Sequence, residues 1–177
     1  MSVWGHHLRV VAPHIHASFF AFDRLGRPPE ALLKNWLVMF KPDTYEVVKD
    51  KGIIGVLYQH RKRFGQLSEG DRFVAYVSRD RVVDGYGTLT SDPYEDVTPV
   101  WATFERYPER CQVSFEQAGA RKDAKELLWH LECWPDPMKT SPSNYLFCKG
   151  GFLEISDDDY ELLVGVLHGA PPPTNAT

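Results

Sequence analysis

Cysteine is scarce in this chain. There are three (Cys111, Cys133 and Cys148), unevenly spaced and with no C-x-x-C pair. An odd count without close pairs fits reduced thiols better than a disulfide framework, and it removes the paired ligands that a zinc site needs. Long apolar runs are missing as well, and nothing approaches the roughly 20 residues of a membrane span. The N-terminus has neither the apolar stretch nor the small-residue cleavage pattern of a secretory signal. A cytoplasmic location with no membrane partner is the expectation. There are no internal repeats.

The signatures of catalysis are absent too. The chain has no G-x-S-x-G, no G-x-x-x-x-G-K-[ST], no H-E-x-x-H and no G-x-G-x-x-G opening a helix. G-Y-G-T, from Gly85 to Thr88, lies inside a strand pattern and does not read as a phosphate loop. Cys148 with His130 or His168 makes a nucleophile and base only on paper, since free cysteine usually serves as a small buried hydrophobe. Asp84 and Asp92 read as turn residues. No catalytic residue, metal or cofactor is expected.

What is present is an ordinary globular composition, 43% hydrophobic and 25% charged, in 177 residues, enough to bury one core without staples. The aromatic share of 13% supplies core area and also suits flat ligands. A net charge of −4 argues against a cation-coated, indiscriminate nucleic-acid binder. The charges are not evenly spread, however. Acids gather near the C-terminus (Glu154, Asp157, Asp158, Asp159, Glu161), while Tyr58 to Phe64 carries only cations, so one basic face on an acidic body is expected.

Residues 1–34 scatter His6, His7, His14 and His16 without period and read as a loosely ordered extension. N-W-L-V-M-F (Asn35 to Phe40) reads as a strand. Asp43 and Glu46 have capping-box spacing for a helix closed by Gly52, with Val47 and Val48 facing the core and Tyr45 and Lys49 elsewhere on its surface. S-E-G-D is a turn before the strand R-F-V-A-Y-V-S, whose alternation puts Val74, Tyr76 and Ser78 on one face and Phe73, Ala75 and Val77 on the other. V-V-D-G-Y-G-T-L-T reads as a strand with a bulge or bend at its glycines. C-Q-V-S-F-E is another strand, and Lys122 to Leu131 reads as a helix with Leu127, Leu128 and Leu131 inward. Ser156 and Asp159 repeat the capping-box spacing for a last helix, with 169–177 as a flexible tail. Short strands with three helices make an α+β domain, a small bent barrel.

One stretch stands apart. Tyr45 to Phe64 runs from a helix through G-I-I-G-V directly into His60, Arg61, Lys62 and Arg63. A glycine-flanked turn exposes backbone that can hydrogen-bond a ligand edge, and adjacent cations can hold phosphates. The same residues also fit a solvated basic loop after a buried turn, and spacing leaves both readings open.

N-W-L-V-M-F, K-P-D-T-Y-E-V-V-K-D-K-G-I-I-G-V, L-S-E-G-D-R-F-V-A-Y-V-S, G-Y-G-T-L-T-S-D-P-Y-E-D and F-C-K-G-G-F-L-E-I-S-D-D-D-Y-E-L-L together resemble EVE domains. These belong to the PUA-like superfamily and are related to the YTH readers of methylated adenine. The resemblance spans about residues 35–168. It implies a PUA-like bent β-barrel with surrounding helices, no catalytic activity, and a pocket for a modified base of DNA or RNA. G-I-I-G-V corresponds to a family G-x-W-G-V or G-x-W-S whose Trp walls an aromatic cage in the relatives; this chain has Ile54 there, which packs on a base without a π-face. The resemblance assigns Trp36, Tyr45, Ile54, Gly55, Val56, Ser78 and Trp101 to the base pocket. It assigns His60, Arg61, Lys62, Arg63 and Arg79 to phosphates. Trp134 and Tyr145 are candidates for its edge. Two rivals on the same fold are a sensor for a small molecule or nucleotide and a nucleic-acid-modifying enzyme, for which His60 is the available titratable group.

Overall fold

In the computed structural model the described residues are 33–102, 107–134 and 141–173. The expected extension over 1–34 lies outside them except for Leu33 and Lys34, as does the end of the tail from 174. Lys34 already belongs to the fold, since its backbone N–H donates to Asp71 and its ammonium pairs with Glu154.

The strands are β1 (Asn35–Phe40), β2 (Ile53–Val56), β3 (Arg72–Val77), β4 (Val82–Leu89), β5 (Tyr94–Glu95), β6 (Glu109–Asp123) and β7 (Phe152–Ile155). They form one curled sheet in the order β2-β6-β4-β3-β1-β7, with β5 on β6. All pairings are antiparallel except β1 with β3. The α-helices are α1 (Pro42–Lys51), α2 (Arg61–Phe64), α3 (Ala124–Leu128), α4 (Pro142–Cys148) and α5 (Asp157–Leu167). This is the α+β, PUA-like bent barrel with surrounding helices. None of the described helices is long and apolar enough to cross a membrane.

Alternation along β1 and β3 creates two cores. Trp36, Val38, Phe40, Phe73, Ala75 and Val77 point into the barrel, where they meet Tyr45, Ile54, Phe64 and Phe152. Leu37, Val74 and Tyr76 point outward, under Leu127 and Leu128 of α3, Leu146 of α4 and Leu163 of α5. The register slips at Ala75/Tyr76 and at Val83/Gly85, which gives the bend expected of the glycines in β4.

Several sequence expectations need correction. α1 is capped from Lys41, not Asp43: the Thr44 hydroxyl accepts from the Lys41 N–H at 3.1 Å and donates to its carbonyl at 2.9 Å. Gly52 closes the helix at φ 62°, a left-handed conformation that a side chain disfavours. G-I-I-G-V is not a turn but strand β2, whose register on β6 runs from Ile53↔Gln112 to Val56↔Glu109. Lys122 and Asp123 end β6 rather than begin α3, which starts at Ala124. Asp84 is a buried strand residue, paired through Oδ2 with Arg121 at 3.1 Å.

Candidate functional site: an apolar cleft beside a basic shelf

β1 and β3 run parallel, so their C-terminal ends, Phe40 and Val77, arrive side by side. The Ser78 N–H donates to the Phe40 carbonyl at 2.9 Å, and the Met39 N–H donates to the Gly151 carbonyl at 2.8 Å. These bonds fix three segments around one opening of the barrel: the end of β1, the turn after β3 and the Gly150–Gly151 link before β7. A cleft of about 190 Å³ sits there. Its floor is Val38, Phe40, Ile54, Val56 and Phe152 from the inner core; Gly55, Ser78, Tyr107, His60 and Phe147 stand around it.

Phe147 is the feature that the sequence did not flag. It is 67% exposed, the residue after Leu146, which is fully buried in the outer core. Burial of Leu146 fixes the rotation of α4, and that rotation holds Phe147 at the mouth of the cleft. An exposed phenylalanine beside an apolar slot is a ready face for a flat ring.

The cationic run is fixed in the same way. Phe64 at the end of α2 is fully buried and meets Phe152 edge-on, with centroids 5.5 Å apart. With that end pinned, a single 3₁₀ turn (Tyr58–His60) and α2 present their polar residues outward. Arg63 lies back along the surface, donating from Nε to the Phe152 carbonyl at 3.3 Å with its guanidinium 5.8 Å from the Trp36 ring. His60 Nε2 is 3.2 Å from Gln59 Nε2. Lys62, Arg63 and Lys149 border a shelf of about 370 Å³ that shares Gln59, His60 and Gly150 with the cleft. No carboxylate lines either space among the described residues.

Of the residues expected in the base pocket, Ile54, Gly55, Val56 and Ser78 line the cleft. Trp36 and Tyr45 do not. Trp36 is fully buried and donates from Nε1 to Asp71 Oδ2 at 2.9 Å. Tyr45 is buried rather than on the surface of α1, packs edge-on against Phe115 and donates to the Asp84 carbonyl at 3.3 Å. Burial and then Asp84 push its phenol pKa up. Trp101 stands behind the cleft wall: its ring covers Gly55, where a Cβ would collide with it, and its centroid is 4.8 Å from that of Tyr107. Gly55 is therefore required by a close approach, not by a turn. Trp134 and Tyr145 pair with each other, centroids 4.9 Å apart, against the outer core.

Of the residues expected on phosphate, His60, Lys62 and Arg63 border the shelf. Arg61 points to the other side of the turn, with Nε 3.2 Å from Glu109 Oε1. Arg79 is exposed in the turn after β3 and lines neither space.

No family model matches the chain. Among curated proteins it is similar to a UPF0310 protein of Pyrococcus abyssi, 28% identical over 146 residues that cover 76% of this chain and 100% of the relative. A UPF0310 protein of Pyrococcus horikoshii is 24% identical over 145 residues, covering 75% and 97%. Among solved structures, the YTH domain of the Zygosaccharomyces rouxii MRB1 protein in complex with N6-methyladenosine RNA aligns with TM-score 0.57 at 13% identity, covering 80% of this chain and 91% of that one. The YTH domain-containing protein mmi1 in an RNA complex aligns with TM-score 0.55 at 12% identity, covering 84% and 88%. A hypothetical protein from Leishmania major aligns with TM-score 0.51 at 16% identity, covering 76% and 94%. At these identities the likeness establishes a YTH-like, PUA-like fold.

Proposed function

We propose that this chain is an EVE domain that works as a non-enzymatic nucleic-acid-binding module in the cytoplasm. It takes one nucleobase, modified in its natural target, into the cleft between Phe147, Ile54 and Val56. The observation that carries this reading is the junction of two spaces of opposite chemistry. An apolar slot with an exposed Phe147 opens directly onto a shelf bordered by Lys62, Arg63 and Lys149. A nucleotide has that same division, a flat apolar base joined to an anionic phosphate. The Ser78 hydroxyl at the cleft wall supplies a group that both donates and accepts toward a base edge. YTH domains of similar fold stand in complexes with RNA, one of them carrying N6-methyladenosine. His60, the titratable group a modifying enzyme would call on, is at the cleft with Gln59 for its partner and no carboxylate in the lining.

The reading is tested by titrating the protein with short single- and double-stranded oligonucleotides, DNA and RNA, unmodified or carrying methylated or hydroxymethylated cytosine or methylated adenine. Ser78→Ala and Lys62→Ala are run beside the parent protein at two salt concentrations. Preference for one modified base that disappears in Ser78→Ala is the expected result. Affinity should fall with salt, and Lys62→Ala should reduce the salt slope by about 0.7–0.9. Tight, salt-independent binding of a free nucleoside instead would make the chain a small-molecule sensor.

A further inference from the structure

The 3₁₀ turn has a second side, away from the cleft. Tyr58 stands on it, 64% exposed. Arg61 lies over that ring, its Cζ 5.6 Å from the centroid. On its inner edge, Arg61 Nε is 3.2 Å from Oε1 of Glu109. Glu109 is itself only 5% exposed and is held in the ladder opposite Val56 and Glu95. Its Oε1 is attracted by the guanidinium yet has no hydrogen-bond partner in good geometry. A buried carboxylate left in this state is costly unless it holds a cation in place. Glu109 therefore ties a flat cation to the rigid start of β6, on top of a flat ring that solvent can reach.

Tyr58, Arg61, Lys62, Pro93 and Glu109 border a hollow of about 680 Å³. Gln59 borders this hollow, the cleft and the shelf, and Lys62 borders both the hollow and the shelf. The three spaces thus run continuously around one turn of chain, from apolar slot to cationic ridge to exposed aromatic.

We infer that Tyr58 and Arg61 form a second stacking platform, which receives the base next to the one held in the cleft, with Glu109 as the residue that positions Arg61. The inference rests on the cleft being a base site. Stacking on an aromatic ring and a guanidinium accepts any base, because every base has a π-face, while Lys62 on the ridge between takes the linking phosphate. The ligand class is then a single-stranded or locally opened segment of at least two nucleotides. Its identity is read in the cleft, and its length is read at the platform.

The test compares oligonucleotides that carry the cleft-binding base beside either an intact neighbour or an abasic one. In the parent protein the intact neighbour should bind roughly ten-fold more tightly or better. Tyr58→Ala should abolish that gain, Tyr58→Phe should keep most of it, and Glu109→Gln should shrink it while leaving binding of the abasic-flanked ligand unchanged. Melting temperatures confirm that each variant is folded. Equal affinity for the two ligands in the parent protein, or equal weakening of both in Tyr58→Ala, overturns the platform. Binding that answers to Tyr58→Ala but not to Phe147→Ala leaves a base on Tyr58 yet overturns the cleft reading, and with it the platform as a second site; the converse overturns the platform alone.

Discussion

The inner and outer cores share β1 and β3 but are finished by different partners. Inside the barrel the residues are mainly aromatic and β-branched (Trp36, Phe40, Tyr45, Phe64, Phe73, Phe152), enclosed by strands, α1 and α2. Outside, leucines of α3, α4 and α5 cover the sheet (Leu127, Leu128, Leu146, Leu163). Three helices can close a flat apolar face completely, whereas strands curling around bulky rings leave an opening where β1 and β3 end. That opening is the cleft, so the inner core has both a structural and a binding role. Charge follows the same division. Near α5 the acids are partly answered by Arg72, which bonds Asp157 at 2.8 Å and Glu161 at 3.0 Å, while the shelf beside the cleft keeps its cations without an acid in its lining.

Substitutions on the two sides should therefore separate stability from binding. The largest effect is expected at Leu163, fully buried in the outer core. Leu163→Ala should cost about 2–5 kcal/mol by chemical denaturation and leave the oligonucleotide affinity of the folded protein unchanged. Trp36→Phe removes the bond to Asp71 from the inner core, leaving the Ser68 N–H still donating to the same oxygen. It should cost about 1–3 kcal/mol, again with affinity unchanged, because Trp36 is not in the cleft.

A pH effect comes next. Burial raises the folded-state pKa of Tyr45 above its ordinary value of 10.0, and Tyr76 and Tyr160 are raised by the same cause. A raised folded pKa gives stability that is fully present below about pH 10 and is lost as pH climbs above it, since phenolate is favoured by unfolding. Tyr45→Phe should flatten that alkaline decline in a melting-temperature series. The smallest stability change belongs to Phe147→Ala, within about 0.5 kcal/mol, because the ring is mostly in water. The same variant should lose roughly ten-fold or more in affinity for a base.

Strands with clean alternation were legible in the sequence. Phe73, Ala75 and Val77 separate from Val74 and Tyr76 as the period of two requires. The Gly52 cap and the Ser156 cap, which accepts from the Asp159 N–H at 3.1 Å, were equally plain because capping is a local matter. β2 was misread as a turn. Two glycines in five residues look like punctuation, and only pairing with β6, more than fifty residues away, makes them a strand. Gly55 in particular is dictated by Trp101, a contact no local pattern announces. Tyr45 was put on the surface of α1 for the related reason that a short helix with one strong apolar pair leaves its inner face ambiguous. Within the site, Ile54, Gly55, Val56 and Ser78 were named from family resemblance, but Phe147, Tyr107 and the Gly150–Gly151 link were not. The signal for Phe147 lay in N-Y-L-F, where helical spacing sends Leu146 and Phe147 to different faces.

The central claim is that the ligand enters at the open end of the inner core. Amide chemical shifts of the labelled protein, followed while a short single-stranded oligonucleotide carrying the preferred base is added, address it directly. Shifts concentrated at Gly55, Ser78, Phe147, Gly150 and Gly151, with a second group at Tyr58 to Arg63, are the predicted result. Shifts confined to α3 and α5 over the outer core, with the cleft amides unmoved, would contradict it.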